Sequence, residues 1–438
     1  MLLEVFFEVI GKPIDISVYK KPQDQIALLF RELKAGPYFL FFDNFEVLID
    51  PKTSKPLKPG FSDLIEKAKK IKGASRIMFT CWECPASERG IRPKRYQIGG
   101  LDRQAAIKLL RSKGLTEPDN ELEKSIELSG GHPLALILLT QLLEEGVKTL
   151  SDLLSDNSLW IGKKGEVARN ILDKVYTERL DEEEQKFLQY VSVYRKPVTI
   201  AGIITVADKD WEIEDAENLA LSLTRKSLLN QAEESYWMES LIQNYAYKKL
   251  PDKVDPHKLA CKFYLSLPRP ENPRKKEDLK SLIEAHYQAC KAKEYDKAYG
   301  IVFDNNLHLD LDRWGDYRTL VELYDSLLPK DYLKDKSLLS KKNYHSTLIG
   351  SLGNAYRDLG EVRKAIEYYD EALRIAKEIE DKQGEGACLG NLGIAYHILG
   401  EVRKAIEYYD EALRIAKEIG DKRSEELWLK NLRKLKNI

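Results

Sequence analysis

The sequence has little of what would direct a chain to a membrane or to nucleic acid. No apolar run approaches the roughly 20 residues that a transmembrane helix needs, and the opening MLLEVFFEVIGK carries two glutamates where a signal peptide carries positive charge. The 70 Lys and Arg nearly balance the 71 Asp and Glu, so net charge does not favour DNA as a partner. We therefore expect a cytoplasmic chain with no membrane partner.

Cysteine is also scarce, and its odd number argues against a disulfide framework. Five cysteines are an odd number, which leaves at least one unpaired. Cys81 and Cys84 in FTCWECP have the spacing of a redox pair or of half a zinc site. A structural zinc site needs about four ligands, and no second CxxC or His pair lies nearby. We interpret this spacing as chance.

What the sequence does contain is an internal repeat near its C-terminus. GEVRKAIEYYDEALRIAKEI occurs twice without change, starting at Gly360 and at Gly400, and related segments, SLGNAYRDL and NLGIAYHIL, precede the two copies. The spacing of the apolar residues predicts two amphipathic helices per 40-residue unit, with a glycine turn between them. RSEELWLKNLRKLKNI follows as a polar helix that closes the stack.

The order of small residues (Gly, Ala) and large residues (Leu, Tyr) in each unit resembles the tetratricopeptide repeat (TPR), in the longer form found in kinesin light chains. The matching positions are Leu352, Gly353, Tyr356, Ala365, Tyr369 and Ala372, and then Leu392, Gly393, Tyr396, Ala405, Tyr409 and Ala412. The resemblance implies an α-solenoid that binds a protein or peptide on its concave face. Polar candidates for partner contact are Asn354, Arg357, Asn391 and His397; the alternative is that they form an ordinary solvated face.

The N-terminal third predicts strands that alternate with helices, which is typical of a parallel sheet. Its segments are LFFDNFE, SRIMFTCW, IGGLDRQAAIKLL and GGHPLAL. In this order they resemble the signal-transduction ATPases with numerous domains (STAND), the NB-ARC-like class. The resemblance implies that Asp43 holds magnesium, that Glu46 is a candidate polarising residue, and that Thr80 and Pro133 lie beside a bound ATP or ADP.

Two departures from that class concern the phosphates. The arginine expected after the sensor strand is absent, with Arg89 or Arg92 as substitutes, and no GxxxxGK[ST] occurs in the 438 residues. A phosphate loop supplies backbone N–H groups and a lysine for the β- and γ-phosphates. We expect that the chain starts inside the nucleotide domain, that no cofactor binds unless the site is completed, and that the sheet has an edge open to a second chain.

The middle of the chain resembles the winged helix that follows the nucleotide domain in the same class. LDEEEQKFLQY predicts a helix capped by Asp181 with Glu184. The triplet that contacts phosphate in the class reads Met238, Glu239 and Ser240 here, and a glutamate repels phosphate. Arg225 and Lys226 are the only basic residues of the candidate recognition helix, so we consider DNA binding the weaker alternative.

These observations predict a multidomain α/β plus all-α chain with five segments. We expect a truncated ATPase core over 1–100, a helical lid over 101–155, a winged helix over 156–250, a helical linker with divergent repeats over 251–343 and TPR repeats over 344–438. The predicted function is a protein-interaction scaffold or sensor with an impaired nucleotide switch, without catalysis by this chain alone. The alternatives are an ATP-dependent switch whose phosphate loop lies upstream or on another chain, and a winged-helix transcription regulator.

Overall fold

The computed structural model describes most of the chain beyond residue 98 and shorter stretches before it. The described residues are 6–7, 10, 22–42, 59–68, 70–71, 73–80, 99–143, 148–161, 164–207, 211–329, 331–332 and 335–436. Asp43, Glu46, Arg89 and Arg92 lie outside them, as do Cys81 and Cys84. The chain divides into two compact units, residues 1–98 and 99–438.

In its described residues, the first unit contains a two-stranded parallel sheet with helices on one face. Its elements are α1 (Pro22–Ala35), β1 (Phe39–Phe42), α2 (Pro59–Ala68) and β2 (Arg76–Phe79). The strands pair in register from Phe39 opposite Arg76 to Phe42 opposite Phe79. Because side chains alternate along a strand, Leu40 and Ile77 pack toward the helices while Phe39 and Phe41 remain 63% and 52% exposed.

The second unit begins with a group of helices whose ends follow local capping rules. They are α3 (Arg103–Ser112), α4 (Asp119–Ser129), α5 (Pro133–Thr140), α6 (Leu150–Ser155), α7 (Asn157–Trp160) and α8 (Lys164–Glu178). Asp102 accepts a 2.8 Å hydrogen bond from the Ala105 amide, as expected for an N-cap. Five leucines of α5 and α6 are fully buried in this core: Leu136, Leu138, Leu139, Leu150 and Leu153.

Four helices and a small antiparallel sheet follow in the described residues. The elements are α9 (Glu182–Val191), β3 (Val198–Thr199), α10 (Ile200–Ala207), α11 (Ile213–Arg225), β4 (Asn230–Ala232), β5 (Ser235–Trp237) and α12 (Ser240–Lys249). The strand order is β3-β5-β4. The predicted capping box is present, because the Glu184 amide donates to Asp181 at 2.8 Å and the Asp181 amide donates to Glu184 at 3.1 Å.

The rest of the described chain is helical. The helices are α13 (Val254–Ser266), a short 3-10 turn (Lys276–Leu279), α14 (Lys280–Lys291), α15 (Tyr295–Phe303), α16 (Leu307–Arg313), α17 (Tyr317–Asp325), α18 (Lys342–Asp358), α19 (Val362–Glu378), α20 (Lys382–Ile398), α21 (Val402–Ile419) and α22 (Lys422–Lys436). Gly360 and Gly400 each have φ +79° between paired helices, a conformation that glycine adopts without strain. Within the described ranges, no helix is both long and apolar enough to cross a bilayer.

Candidate functional site: the repeat face

The C-terminal helices repeat with one spacing, which places equivalent side chains on a common face. Helices α18, α20 and α22 begin at residues 342, 382 and 422, so each starts 40 residues after the one before. Each of the first two packs against a partner helix, α19 or α21. Since stacked units present equivalent positions on the same side, α18, α20 and α22 together form one continuous face.

The paired helices approach closely because glycine stands where an aromatic ring arrives. The ring of Tyr409 is buried against Gly393, and a Cβ atom at Gly393 would lie 2.6 Å from Tyr409 Cδ1. Tyr369 makes the same contact with Gly353 one unit earlier. These contacts hold the first and second helix of each unit together without intervening side chains.

Near the turn between the two helices of each unit, two tyrosine rings stack and a lysine ammonium lies above one of them. Tyr356 stacks on Tyr368 with ring centroids 5.2 Å apart, and the Lys364 ammonium lies 3.7 Å from the Tyr356 centroid. The next unit repeats the arrangement with Tyr396 and Tyr408, whose centroids are 5.3 Å apart. Burial raises the pKa of Tyr368 and Tyr408, so these hydroxyls remain protonated at neutral pH.

The four residues predicted to contact a partner lie in two different settings. In α18, Asn354 accepts a 2.9 Å hydrogen bond from the Tyr369 hydroxyl, and Arg357 pairs with Asp358 through contacts of 2.8 and 2.9 Å. In α20, Asn391 is half-buried and His397 is exposed. The first pair is therefore engaged in contacts of the repeat itself, whereas His397 is open to a ligand.

The last helix, α22, continues this face, although the repeat motif predicts the face only for the two preceding units. Leu427, Lys430 and Lys434 in α22 occupy the positions of Ala387, Gly390 and Ile394 in α20, and all three are exposed. The available signal was the continued 40-residue period, since DK at 381–382 recurs at 421–422 and NL at 391–392 recurs at 431–432. The face therefore extends one helix beyond the two repeats that the motif identifies.

The residues predicted to lie beside a nucleotide are only partly within the described chain. Thr80 follows β2, and its amide donates to the Phe42 carbonyl at 2.8 Å, which continues the parallel ladder. Pro133 is exposed at the first position of α5, and the preceding His132 accepts from the Ala135 amide through Nδ1 at 3.3 Å. Among the described residues, no three His, Cys, Asp or Glu side chains are grouped closely enough to hold a metal ion.

A buried polar junction connects the α9–α12 region to the helices that precede the repeats. Arg195 contacts Glu284 of α14 through two hydrogen bonds of 2.8 and 3.2 Å. Gln288, also in α14, donates to the Val193 carbonyl at 3.2 Å and accepts from His257 at 2.5 Å. Since buried polar groups are costly unless paired, this network favours one orientation of α14 against residues 193–195.

Comparison with known proteins identifies the repeats and finds a likeness that covers more of the chain. Residues 344–418 match the family model for the tetratricopeptide repeat. A crystal structure of a STAND protein with a tetratricopeptide repeat sensor, from Pyrococcus horikoshii, is 18% identical, with 95% of this chain and 68% of that chain covered and a TM-score of 0.42. The search of curated proteins gave no match. The C-terminal part of this chain therefore carries tetratricopeptide repeats, as the sequence motifs predicted.

Proposed function

We propose that the chain is a scaffold or sensor that binds a protein or peptide partner on the α18–α20–α22 face. The observation that carries this proposal is the common register of the three helices, which gives one continuous surface with exposed polar and apolar side chains. Tetratricopeptide repeats generally bind proteins. The proposed ancestor is a STAND-type ATPase, and catalysis is not part of the proposed role.

We also propose that the nucleotide switch is impaired. The 438 residues contain no GxxxxGK[ST], so the described residues offer no phosphate cradle of that kind. At the start of α12 the N-cap residue is Glu239, which is exposed. A carboxylate there would repel a phosphate from the helix N-terminus, so this end of α12 does not suit a bound nucleotide.

The middle of the chain has a packing role in this proposal, rather than a DNA-binding one. The sheet order β3-β5-β4, with β3 between α9 and α10 and with β4 and β5 after α11, supports its interpretation as a winged helix. Lys226 contacts Glu184 at 2.5 and 2.6 Å and is therefore not available to a phosphate backbone. The first turn of α11 carries Glu214 and Asp215, which oppose DNA at that helix.

Site-specific photo-crosslinking tests the location of partner binding. The photoreactive residue p-benzoylphenylalanine would replace His397 on the proposed face or, as a matched control, Glu418, which is exposed on α21. Each full-length variant would be irradiated in lysate of the source organism. We expect a discrete protein adduct from position 397 and none from position 418. Adducts only from position 418, or equal adducts from both, would show that the partner does not use this face.

A further inference from the structure

Helices α19 and α21 have the same sequence, so a difference between them arises from their neighbours. Both read VRKAIEYYDEALRIAKE from their first residue, Val362 or Val402. Tyr368 in α19 is only 6% exposed, whereas Tyr408, at the same position of α21, is half-buried. An element next to Tyr368 therefore has no counterpart beside Tyr408.

The element that covers Tyr368 is a tyrosine from the segment between α17 and α18. Tyr332 stacks on Tyr368 with ring centroids 5.2 Å apart and an angle of 19° between the ring planes. Tyr368 also stacks on Tyr356 of its own unit, again at 5.2 Å. Tyr408 stacks on Tyr396 at 5.3 Å and on no other ring in the described part of the chain. The second unit thus repeats the internal stack but has no counterpart of Tyr332.

The lengths of the connecting segments explain this difference. Residues 326–341 connect α17 to α18, and this long segment places Tyr332 on Tyr368. Only residues 379–381 connect α19 to α20. That short connection places no ring on Tyr408, so one side of the Tyr408 ring remains open.

Both tyrosines lie toward the preceding unit, so the comparison between them is direct. Burial, with a contribution from the Asp325 carboxylate, raises the pKa of Tyr368. Burial, with a contribution from the Asp370 carboxylate, raises the pKa of Tyr408. Asp325 belongs to α17 and Asp370 belongs to α19, so each tyrosine lies close to the helix two before its own. The open side of Tyr408 therefore lies between α19 and α21.

Carboxylates beside Tyr408 lack the partner that the first unit provides. Glu371 pairs with Arg374 at 2.6 Å. Its equivalent, Glu411, lies three residues after Tyr408 on the same side of α21, is exposed, and makes no ion pair with a described residue. Asp370 is likewise exposed and has no ion pair among the described residues. The two negative charges favour a ligand that carries basic groups.

We propose that Tyr408, Asp370 and Glu411, together the Tyr408 site, bind a segment of a partner protein that carries a tyrosine between basic residues. The partner's tyrosine stacks on Tyr408 as Tyr332 stacks on Tyr368, and its basic groups pair with the two carboxylates. The chain itself indicates this occupant, because an identical helix already holds the segment PKDYLKDKSL, residues 329–338, in which lysines stand two residues before and after the tyrosine.

The Tyr408 site is a second binding surface. Tyr408 belongs to α21, which is not one of the three helices of the α18–α20–α22 face. The inference therefore goes beyond the proposed function and does not depend on it.

The chain's own segment serves as the probe. The synthetic peptide PKDYLKDKSL would be titrated into the full-length chain, and saturation-transfer NMR would record which peptide protons contact the protein. A control peptide carries Tyr332→Ala. In the protein, Tyr408→Ala removes the stacking ring and Tyr408→Phe retains it.

A charge-reversed pair of variants complements the ring variants. Glu411→Lys reverses a charge of the Tyr408 site. Its matched control is Glu426→Lys on α22, because Glu426 is also exposed and makes no ion pair within the described residues. Thermal melting would verify that each variant folds, and if Tyr408→Ala does not fold, the charge-reversed pair decides.

We expect saturation chiefly on the tyrosine ring protons of the peptide, and none with the control peptide. The dissociation constant should rise about tenfold in Tyr408→Ala and in Glu411→Lys, and it should stay unchanged in Tyr408→Phe and Glu426→Lys. An absence of binding to the wild-type chain, or equal binding to wild type, Tyr408→Ala and Glu411→Lys, would overturn the inference. Saturation mainly of lysine protons would overturn it in favour of a site for cations.

The proposed function has a separate outcome. A specific adduct at position 397 without peptide binding would retain the α18–α20–α22 face and reject the Tyr408 site. Peptide binding that depends on Tyr408, without an adduct at position 397, would retain the Tyr408 site and reject that face.

Discussion

At the scale of single residues, the spacing of paired helices depends on a few glycines that contact rings. Gly393 is the clearest case, since the Tyr409 ring that it meets is 1% exposed and has no room to turn away. Gly350 is different, because a Cβ there would meet only the Ala372 methyl at 3.9 Å, an ordinary contact. Gly393 is therefore required for the close packing of its helix against α21, whereas the position of Gly350 has room for a larger side chain.

We predict that Gly393→Ala lowers the free energy of unfolding by about 1–3 kcal/mol, the usual cost of overpacking. Gly350→Ala should raise it by about 0.5–1 kcal/mol, because alanine favours a helix interior over glycine. Urea unfolding followed by circular dichroism measures both. If the two variants change stability in the same direction, the contact with Tyr409 does not set the helix spacing.

Two buried histidines should make stability depend on pH. Burial, with a contribution from Arg195, lowers the pKa of His286 to about 4, and burial lowers the pKa of His257. An unfolded histidine titrates near about 6.5, so below that pH the unfolded chain binds protons that the folded chain does not. Stability is therefore full above about pH 6.5 and decreases as the pH falls toward the folded-state value.

The variant His286→Gln should flatten this dependence. We expect wild-type unfolding free energy to fall between pH 7.5 and 5, with one histidine contributing at most about 1.4 kcal/mol per pH unit, and the variant to lose that share. His397→Gln is the matched control, because His397 is exposed. Urea midpoints at several pH values measure the slopes. Identical slopes for wild type and His286→Gln would show that His286 has the same pKa in the folded and the unfolded chain.

Short-range residue contacts were predictable, and long-range ones were not. The pairing of Asp181 with Glu184 follows from their three-residue spacing. The same Glu184 also accepts from Ser222 at 2.6 Å and pairs with Lys226. Those partners are about 40 residues away in sequence, and no local pattern indicates that α11 returns to cover the start of α9.

At the scale of elements, α14 is held against residues 193–195 by the Arg195–Glu284 pair. Glu284 is 3% exposed, so its charge is stabilised chiefly by this contact. Removing one partner from a buried pair leaves an uncompensated group, which is more costly than losing a surface pair. The contact joins residues 89 positions apart in the sequence.

We predict that Glu284→Gln lowers the free energy of unfolding by about 3 kcal/mol, at the lower end for a broken buried pair because Arg195 is partly exposed. Glu418→Gln, which removes the exposed pair with Arg414, should change it by less than about 1 kcal/mol. Thermal and urea unfolding measure both. Equal small effects would mean that solvent, rather than Arg195, compensates Glu284.

Element prediction succeeded where a period was present. The 40-residue repeat predicted α18 to α21 and the turns at Gly360 and Gly400. It failed to include α22 in the face, because Arg433 and Lys434 replace the small and apolar residues of the motif. Helix α22 still begins 40 residues after α20, although its polar composition predicts only a solvated helix that closes the stack.

At the scale of the whole molecule, the two units differ in how much surface their elements bury. In the first unit, β1 and β2 leave Phe39 and Phe41 exposed on one face. Parallel sheets are normally covered on both faces, and a two-stranded sheet, which is what the described residues of this unit form, is marginally stable by itself. In the second unit, α18 to α21 bury Tyr369, Tyr409 and most of their alanines.

We predict that backbone amides of β1 and β2 exchange hydrogen faster than those of α18–α21, by about tenfold or more. The reason is that local opening needs less free energy where few apolar contacts are lost. Hydrogen exchange with mass spectrometry on the full chain measures both regions in one sample. Equal protection would show that the first unit is as stable as the repeats.

The central proposal is that the chain acts by binding a protein, with its nucleotide switch impaired. Calorimetric titration of the full chain with Mg-ATP and with Mg-ADP tests it most directly, with an intact phosphate-loop ATPase titrated in the same buffer as the positive control. We predict no binding heat up to about millimolar nucleotide, the weak end of ordinary ligand affinity. Micromolar binding would contradict the proposal, because residues other than a GxxxxGK[ST] loop would then hold the phosphates.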